Sequence, residues 1–132
     1  MRITADTNVL LRAAVRDDSK QATSAANVLR NAELVAVPVG ALCEFAWVMR
    51  SAYKKPAPEI ANSIRSLITS PNVVTNLPAA EAGLALLDKG GDFADGAIAY
   101  EGQWLGADEF VSFDKQAVSL LRSQGRKTRL LS

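Results

Sequence analysis

The overall architecture can be inferred outward from one stretch, Arg2-Ile3-Thr4-Ala5-Asp6-Thr7-Asn8-Val9-Leu10-Leu11-Arg12. A short strand-like run stops at an acid, Asp6, and apolar periodicity resumes at Val9. This order is typical of a strand, a capping turn and the start of a helix. Ligands of open α/β sheets bind at the carboxyl ends of the strands, so Asp6 is a candidate site residue. It is equally well interpreted as a helix N-cap alone.

Composition indicates one globular domain over residues 1–132, with 48% apolar and 22% charged residues. No apolar run approaches the roughly 20 residues that span a bilayer. An acid at position 6 also interrupts any signal-peptide core, so we expect a cytoplasmic protein without a membrane partner.

Histidine is absent, and Cys43 is the only cysteine. These counts exclude an internal disulfide, a Ser-His-Asp triad, a Cys-His dyad and the common zinc sites. Any catalysis must therefore come from carboxylates, hydroxyls, lysine or a cofactor. The net charge is only +1, but the chain after Asp114 has five basic residues and no acid. That tail is interpreted either as a solvated rim or as a phosphate-binding surface.

Strand-like and helical segments alternate along the chain, which predicts an α/β fold with a parallel sheet. A buried strand is expected at 34–37, a helix from Pro38 to about Ser51, and another helix from about Glu59 after a proline-rich break. These two helices would form a projecting hairpin. Further strands are expected at 73–75, 110–112 and 127–131.

Four acids lie at positions that a single metal site would explain together. Asp6 and Asp114 directly follow predicted strands, Asp95 lies in the first turn of a helix, and Glu44 lies among apolar neighbours. A buried carboxylate is costly without a partner, and a shared divalent ion would supply one. Each acid also has a simpler interpretation: Glu44 as a surface residue, Asp95 as a favourable first-turn acid, and Asp114 as a turn residue. Asp92 is first of all a helix cap.

The motifs around these acids resemble those of PIN-domain ribonucleases, and more closely the VapC-type toxins of bacterial toxin–antitoxin systems. The resemblance covers nearly the whole chain in order, and the motifs that carry it are Asp-Thr-Asn-Val-Leu-Leu-Arg at 6–12, Glu-Phe-Ala-Trp-Val-Met-Arg at 44–50, Gly-Asp-Phe-Ala-Asp-Gly-Ala-Ile-Ala at 91–99 and Val-Ser-Phe-Asp at 111–114. One departure is Gly96, where relatives often have alanine. A glycine at a helix start costs up to about 1 kcal/mol and would loosen the turn that contains Asp95.

The resemblance implies a PIN-like three-layer fold, with a five-stranded parallel sheet flanked by helices. It also implies RNA cleavage, most often of tRNA or another structured RNA, that depends on Mg²⁺ or Mn²⁺. Asp6, Asp95 and Asp114 would be the metal ligands, and Glu44 would bind metal or orient the attacking water. The supporting residues would be Thr7, Asn8, Asp92 and Ser112.

The family also implies a cognate antitoxin and a homodimer, with the helical hairpin at or near the interface. Trp47 and Tyr53 suit such a contact or the core. Arg12, Lys54, Lys55 and the basic tail are candidate phosphate contacts.

Three rival interpretations remain. A phosphoryl-accepting receiver domain has a similar length, but it needs an acidic pair after its first strand and an aspartate after its third, where Thr75-Asn76-Leu77 stands. A haloacid-dehalogenase-like phosphatase needs a second aspartate at the position of Asn8. The third keeps the PIN fold as a catalytically silent scaffold.

Overall fold

Seven helices and five short strands alternate along the chain in a computed structural model that describes residues 1–132, and the predicted α/β class is confirmed. No helix is both long enough and apolar enough to cross a membrane. The elements are β1 (Arg2–Thr4), α1 (Thr7–Val15), α2 (Ser19–Asn31), β2 (Leu34–Ala36), α3 (Val39–Ser51), α4 (Ala57–Ile68), β3 (Val73–Val74), α5 (Leu77–Asp88), α6 (Phe93–Trp104), β4 (Phe110–Ser112), α7 (Lys115–Ser123) and β5 (Thr128–Leu130).

The chain divides into two compact units, which we call the N-terminal unit (Met1–Leu77) and the C-terminal unit (Pro78–Ser132). The division falls at the start of α5, whose second residue is Pro78. A proline suits this position because its missing N–H group has no helical partner in the first turn. A single domain over the whole chain stays a prediction.

In the N-terminal unit, three parallel strands pair in the order β1-β2-β3. Ile3 lies opposite Val35, and Ala36 lies opposite Val74. The backbone N–H of Ala5 donates to the carbonyl of Ala36 at 3.0 Å, which extends the pairing to the residue before Asp6. The helices between the strands make the crossovers that parallel pairing requires. A single five-stranded sheet stays a prediction.

Helices α3 and α4 contact each other, as the predicted hairpin requires. Helix α4 begins at Ala57, two residues earlier than expected, because Pro58 is accommodated within its first turn. Apolar residues at helical spacing hold this unit together, and they include Leu42, Ile60 and Ile64, each with no exposed surface.

In the C-terminal unit, β4 and β5 are parallel, with Val111 opposite Arg129. Helix α5 ends in a Schellman motif: the N–H of Gly91 donates to the carbonyl of Leu86, and that of Gly90 to Leu87. Gly90 has a φ of +86°, a conformation that favours glycine. Helix α5 therefore ends at the Gly90-Gly91 pair, as glycine at a C-terminal cap indicates. The next residue, Asp92, begins the acidic part of the unit.

Candidate functional site

Asp6 and Asp114 occupy equivalent positions, each two residues after the end of a parallel strand and directly before a helix. Asp6 Oδ1 accepts a hydrogen bond from the N–H of Val9 at 3.2 Å, and Asp114 Oδ1 accepts from Ala117 at 3.0 Å. Both side chains are exposed. The capping interpretation of Asp6 is confirmed, and each cap involves one carboxylate oxygen only. Capping is therefore compatible with ligand binding through the other oxygen.

Asp92 and Asp95 lie at the start of α6, as the sequence predicts. Asp92 is the N-cap, with Oδ1 accepting from the N–H of Ala94 at 3.2 Å, and Asp95 is the third helical residue. Both side chains are half-buried. Negative charge is favourable at the N-terminal end of a helix. This preference explains one acid at the start of α6 more readily than it explains two.

The pKa of Asp95 is raised above its ordinary value of 3.8. The main cause is burial, and the negative charges of Asp92 and Asp114 add to it. Asp92, Asp95 and Asp114 therefore share one electrostatic environment within the C-terminal unit. Ionisation of the Asp95 carboxyl is therefore less favourable there than in water.

Ser112, a predicted supporting residue, shapes the junction that contains Asp114. The backbone N–H of Asp114 donates to Ser112 Oγ at 2.9 Å. This local bond turns the chain out of β4 and into the capping conformation at Asp114. The observed contact of Ser112 is therefore one that positions Asp114.

Glu44 is exposed, so the expectation that it lies in apolar surroundings is wrong. Helix α3 buries Leu42, Phe45 and Met49 and turns Glu44 outward. Glu44 is next to apolar residues in sequence, but the 100° turn between helical neighbours separates them in space. Burial therefore gives no reason to expect a metal ion near Glu44. The assignment of Glu44 to the site depends on the family resemblance alone.

Thr7 and Asn8, the other two supporting residues, are the first and second residues of α1. Thr7 is half-buried and Asn8 is exposed. They follow Asp6 directly, so all three belong to one strand-to-helix junction of the N-terminal unit.

The carboxylates at the start of α6 and α7 have the donor chemistry that a divalent metal ion requires. Carboxylate oxygens are ligands that Mg²⁺ prefers, and the repulsion at Asp95 is the kind a divalent ion relieves. No group of three or more acids or cysteines is arranged to hold an ion. Mg²⁺ usually takes one or two carboxylates together with waters and phosphate oxygens. Within the C-terminal unit, Asp95 and Asp114 fit that smaller requirement.

Asp17 has a structural role that the sequence does not indicate. Arg12 Nη1 donates to Asp17 Oδ1 at 3.2 Å, and the hydroxyl of Tyr53 donates to Asp17 Oδ2 at 3.4 Å. Asp17 thus connects α1 to the segment after α3. An acid five residues beyond an arginine was the only sequence signal, and it does not identify a contact with Tyr53.

Three residues of the basic tail make contacts within the C-terminal unit. Arg122 donates to Thr128, Arg126 donates to Gln103, and Arg129 pairs with Glu109 at 3.0 Å. These contacts hold α7 and β5 within the C-terminal unit. They favour the interpretation of the tail as a solvated rim for these three residues.

A groove of about 870 Å³ also lies within the N-terminal unit, on α1, α2 and α4. None of the predicted site residues lines it. Its walls are mainly apolar, and the candidate catalytic chemistry lies elsewhere.

No family model matches the chain, and no curated protein does. The functional conclusion consequently rests on the ordered sequence motifs and on the geometry described above.

Proposed function

We propose that this protein is a metal-dependent endoribonuclease of the PIN-domain class, acting as the VapC-type toxin of a toxin–antitoxin pair. The proposal is supported by the order of the acidic motifs along an α/β chain. It is also supported by Asp6 and Asp114 standing where parallel strands lead into helices. The proposed fold includes the five-stranded parallel sheet of that family.

The observation that carries the proposal is the placement of the acids: Asp6 and Asp114 lie directly before α1 and α7, and Asp95 lies in the first turn of α6. Burial and the charges of Asp92 and Asp114 also raise the pKa of Asp95. Clustered carboxylates of this kind are common at functional sites, where a ligand repays their cost. The ligand that suits three acids is a cation, and oxygen donors favour Mg²⁺ or Mn²⁺.

In this proposal, Asp95 and Asp114 would hold the divalent ion in the C-terminal unit, and Asp6 is the further ligand that the family resemblance implies. Asp92 remains a helix cap whose charge strengthens the local field. A divalent ion held by these carboxylates would supply an activated water and stabilise the leaving oxygen of the phosphodiester. Glu44 orients the attacking water, a role for which an exposed carboxylate is accessible. Thr7, Asn8 and Ser112 support the backbone around the acids.

The proposed partners are an RNA substrate, a cognate antitoxin and a second copy of the chain. Trp47 on α3 is 61% exposed, so it is available for a contact between copies at the helical hairpin. Tyr53 is half-buried and bonded to Asp17, which makes it the weaker candidate.

The test is incubation of the purified protein with total RNA and structured RNAs in Mg²⁺ or Mn²⁺, with and without a chelator. Cleavage that the chelator abolishes is the expected result. Asp6→Asn should remove cleavage and keep the fold, because asparagine is an equally good N-cap.

Asp18→Asn is the matched control. Asp18 caps α2 through the same bond, from the N–H of Gln21 at 3.0 Å, but follows no strand. Its substitution should leave cleavage unchanged. Wild-type cleavage by Asp6→Asn would contradict the ligand assignment, and no metal-dependent cleavage of any RNA would contradict the proposed function.

The role of Glu44 is tested by Glu44→Gln. Loss of a group that orients or activates the attacking water lowers kcat by about 10²–10⁴-fold. Glu101→Gln, at another exposed helical glutamate, is the control and should have no effect. Equal kcat values for the two variants would remove Glu44 from the proposed site.

A further inference from the structure

A second groove, of about 390 Å³, lies between α1 and α2 within the N-terminal unit. We call it the α1–α2 groove. It begins at the first turn of α1, the helix that Asp6 caps. Its lining residues are Asn8, Val9, Arg12, Gln21, Ser24, Ala25 and Val28.

The lining of the α1–α2 groove combines apolar walls with groups that donate and accept hydrogen bonds. Val9 and Val28 supply apolar surface, and Val28 is 47% exposed. The amides of Asn8 and Gln21 each offer two donors and one acceptor oxygen. Unpaired nucleobases need this combination, because their faces are apolar and their edges carry donors and acceptors.

The α1–α2 groove has one charged lining residue, Arg12, and no acid lines it. Asp17, outside the lining, forms an ion pair with Arg12 at 3.2 Å and offsets part of its charge. The hydrogen bond to Asp17 uses one N–H of its guanidinium group, and Tyr53 holds the far oxygen of Asp17. The guanidinium is thus oriented before a ligand arrives, with donors left for a phosphate and a planar face for a base.

We propose that the α1–α2 groove binds one unpaired nucleotide of the RNA, next to the phosphodiester that is cut. Its base lies between Val9 and Val28, the amide of Gln21 contacts the base edge, and Arg12 contacts the adjoining phosphate. This inference rests on the proposed ribonuclease function and adds the residues that select the sequence beside the cut. Its position follows from Asn8, which lies two residues after Asp6 on the same helix start.

Two variants test the groove in different ways. Ser24→Trp fills it, and Gln21→Leu removes the amide while keeping a side chain of similar length. Both residues are exposed on α2, so neither change disturbs the core. Thr23→Trp is the control, because Thr23 is exposed on the same helix but does not line the groove.

Binding is measured first, by fluorescence anisotropy with single-stranded RNA hexamers of varied sequence in chelator, where no cleavage occurs. Filling the groove removes the apolar contact of the base with Val9 and Val28, so Ser24→Trp is expected to weaken binding by about tenfold. Gln21→Leu should bind all hexamers with more similar Kd values. Thr23→Trp should match the wild type, and circular dichroism should show that all variants are folded.

Cleavage is measured next, by mapping RNA ends after incubation with Mg²⁺. Ser24→Trp and Gln21→Leu should still cut, with a relaxed preference at the nucleotide beside the cut. Unchanged Kd values and cut sites in both variants, with an active wild type, would overturn the groove proposal alone. A wild type that neither binds nor cleaves RNA would overturn the ribonuclease function, and the groove proposal with it.

Discussion

Gly96 of α6 lies directly against the backbone of Ala82 in α5. A Cβ atom at Gly96 would overlap the carbonyl oxygen of Ala82 and come within 2.9 Å of its carbonyl carbon. On the other side of this contact, the ring of Phe93 lies against Gly83, where a Cβ would be 2.6 Å away. Two glycines thus allow α5 and α6 to approach closely. The expectation that Gly96 only loosens the turn containing Asp95 omitted this packing role.

The first prediction concerns Gly96→Ala. The added methyl group meets backbone, which cannot rotate away, so overpacking should lower the free energy of unfolding by about 1–3 kcal/mol. Gly102→Ala, on the same helix with nothing within 4 Å, is the control and should raise it by up to about 1 kcal/mol. Urea denaturation measures both. The same sign of change in both variants would contradict the close contact with Ala82.

The second prediction concerns the pH dependence that Asp95 imposes. Burial and neighbouring charges raise its pKa in the folded protein, so folding favours the protonated form. The stability that Asp95 contributes is complete below its ordinary pKa of 3.8 and is lost as the pH rises through the folded value. Without metal, Asp95→Asn should therefore be more stable than the wild type at pH 7 and equal to it near pH 3.

Urea denaturation in chelator between pH 3 and pH 8 measures this difference, with Asp108→Asn at an exposed acid as the control. Addition of Mg²⁺ should reduce the difference in the free energy of unfolding between the two proteins at pH 7, because an ion that binds the folded wild type stabilises it. A difference in the free energy of unfolding that does not change with pH would show that the Asp95 carboxylate does not cause it.

The third prediction separates the two roles of Asp114. Asp114→Asn retains an acceptor for the N–H of Ala117, whereas Asp114→Ala leaves that donor without its cap. Only the alanine variant should lose stability, by about 1 kcal/mol. Both should lose cleavage, since neither carries the negative charge that the proposed ion requires. Cleavage retained by the asparagine variant would limit Asp114 to capping.

The fourth prediction concerns the proposed homodimer. A central interface tryptophan contributes strongly to binding, so Trp47→Ser should weaken self-association by about 30-fold or more. Trp104→Ser is the control at a second tryptophan, 76% exposed on α6, and should not change association. Sedimentation velocity over a range of protein concentrations measures both. Dissociation by the Trp104 variant alone would move the interface to α6.

Local structure was largely predictable from sequence because it depends on residues close together in the chain. The strand–acid–helix junction at Asp6, the cap at Asp92 and the helix end at Gly90 are set by backbone hydrogen bonding and glycine conformation. The predicted start of α4 was two residues too late. Pro58 was interpreted as part of the break before the helix, whereas it lies in the first turn. The single five-stranded sheet stays a prediction.

Sequence alone determined the α/β alternation, the absence of histidine chemistry and the placement of acids at helix starts. Only the tertiary structure decided that Glu44 points outward, that Asp17 holds Arg12 and Tyr53, and that Gly96 meets Ala82. The physical reason is that caps and turns involve neighbours in sequence, whereas burial and packing depend on which distant segment covers a given face. The rise in the Asp95 pKa also depends on packing, because Asp114, one of its causes, lies nineteen residues away in the chain.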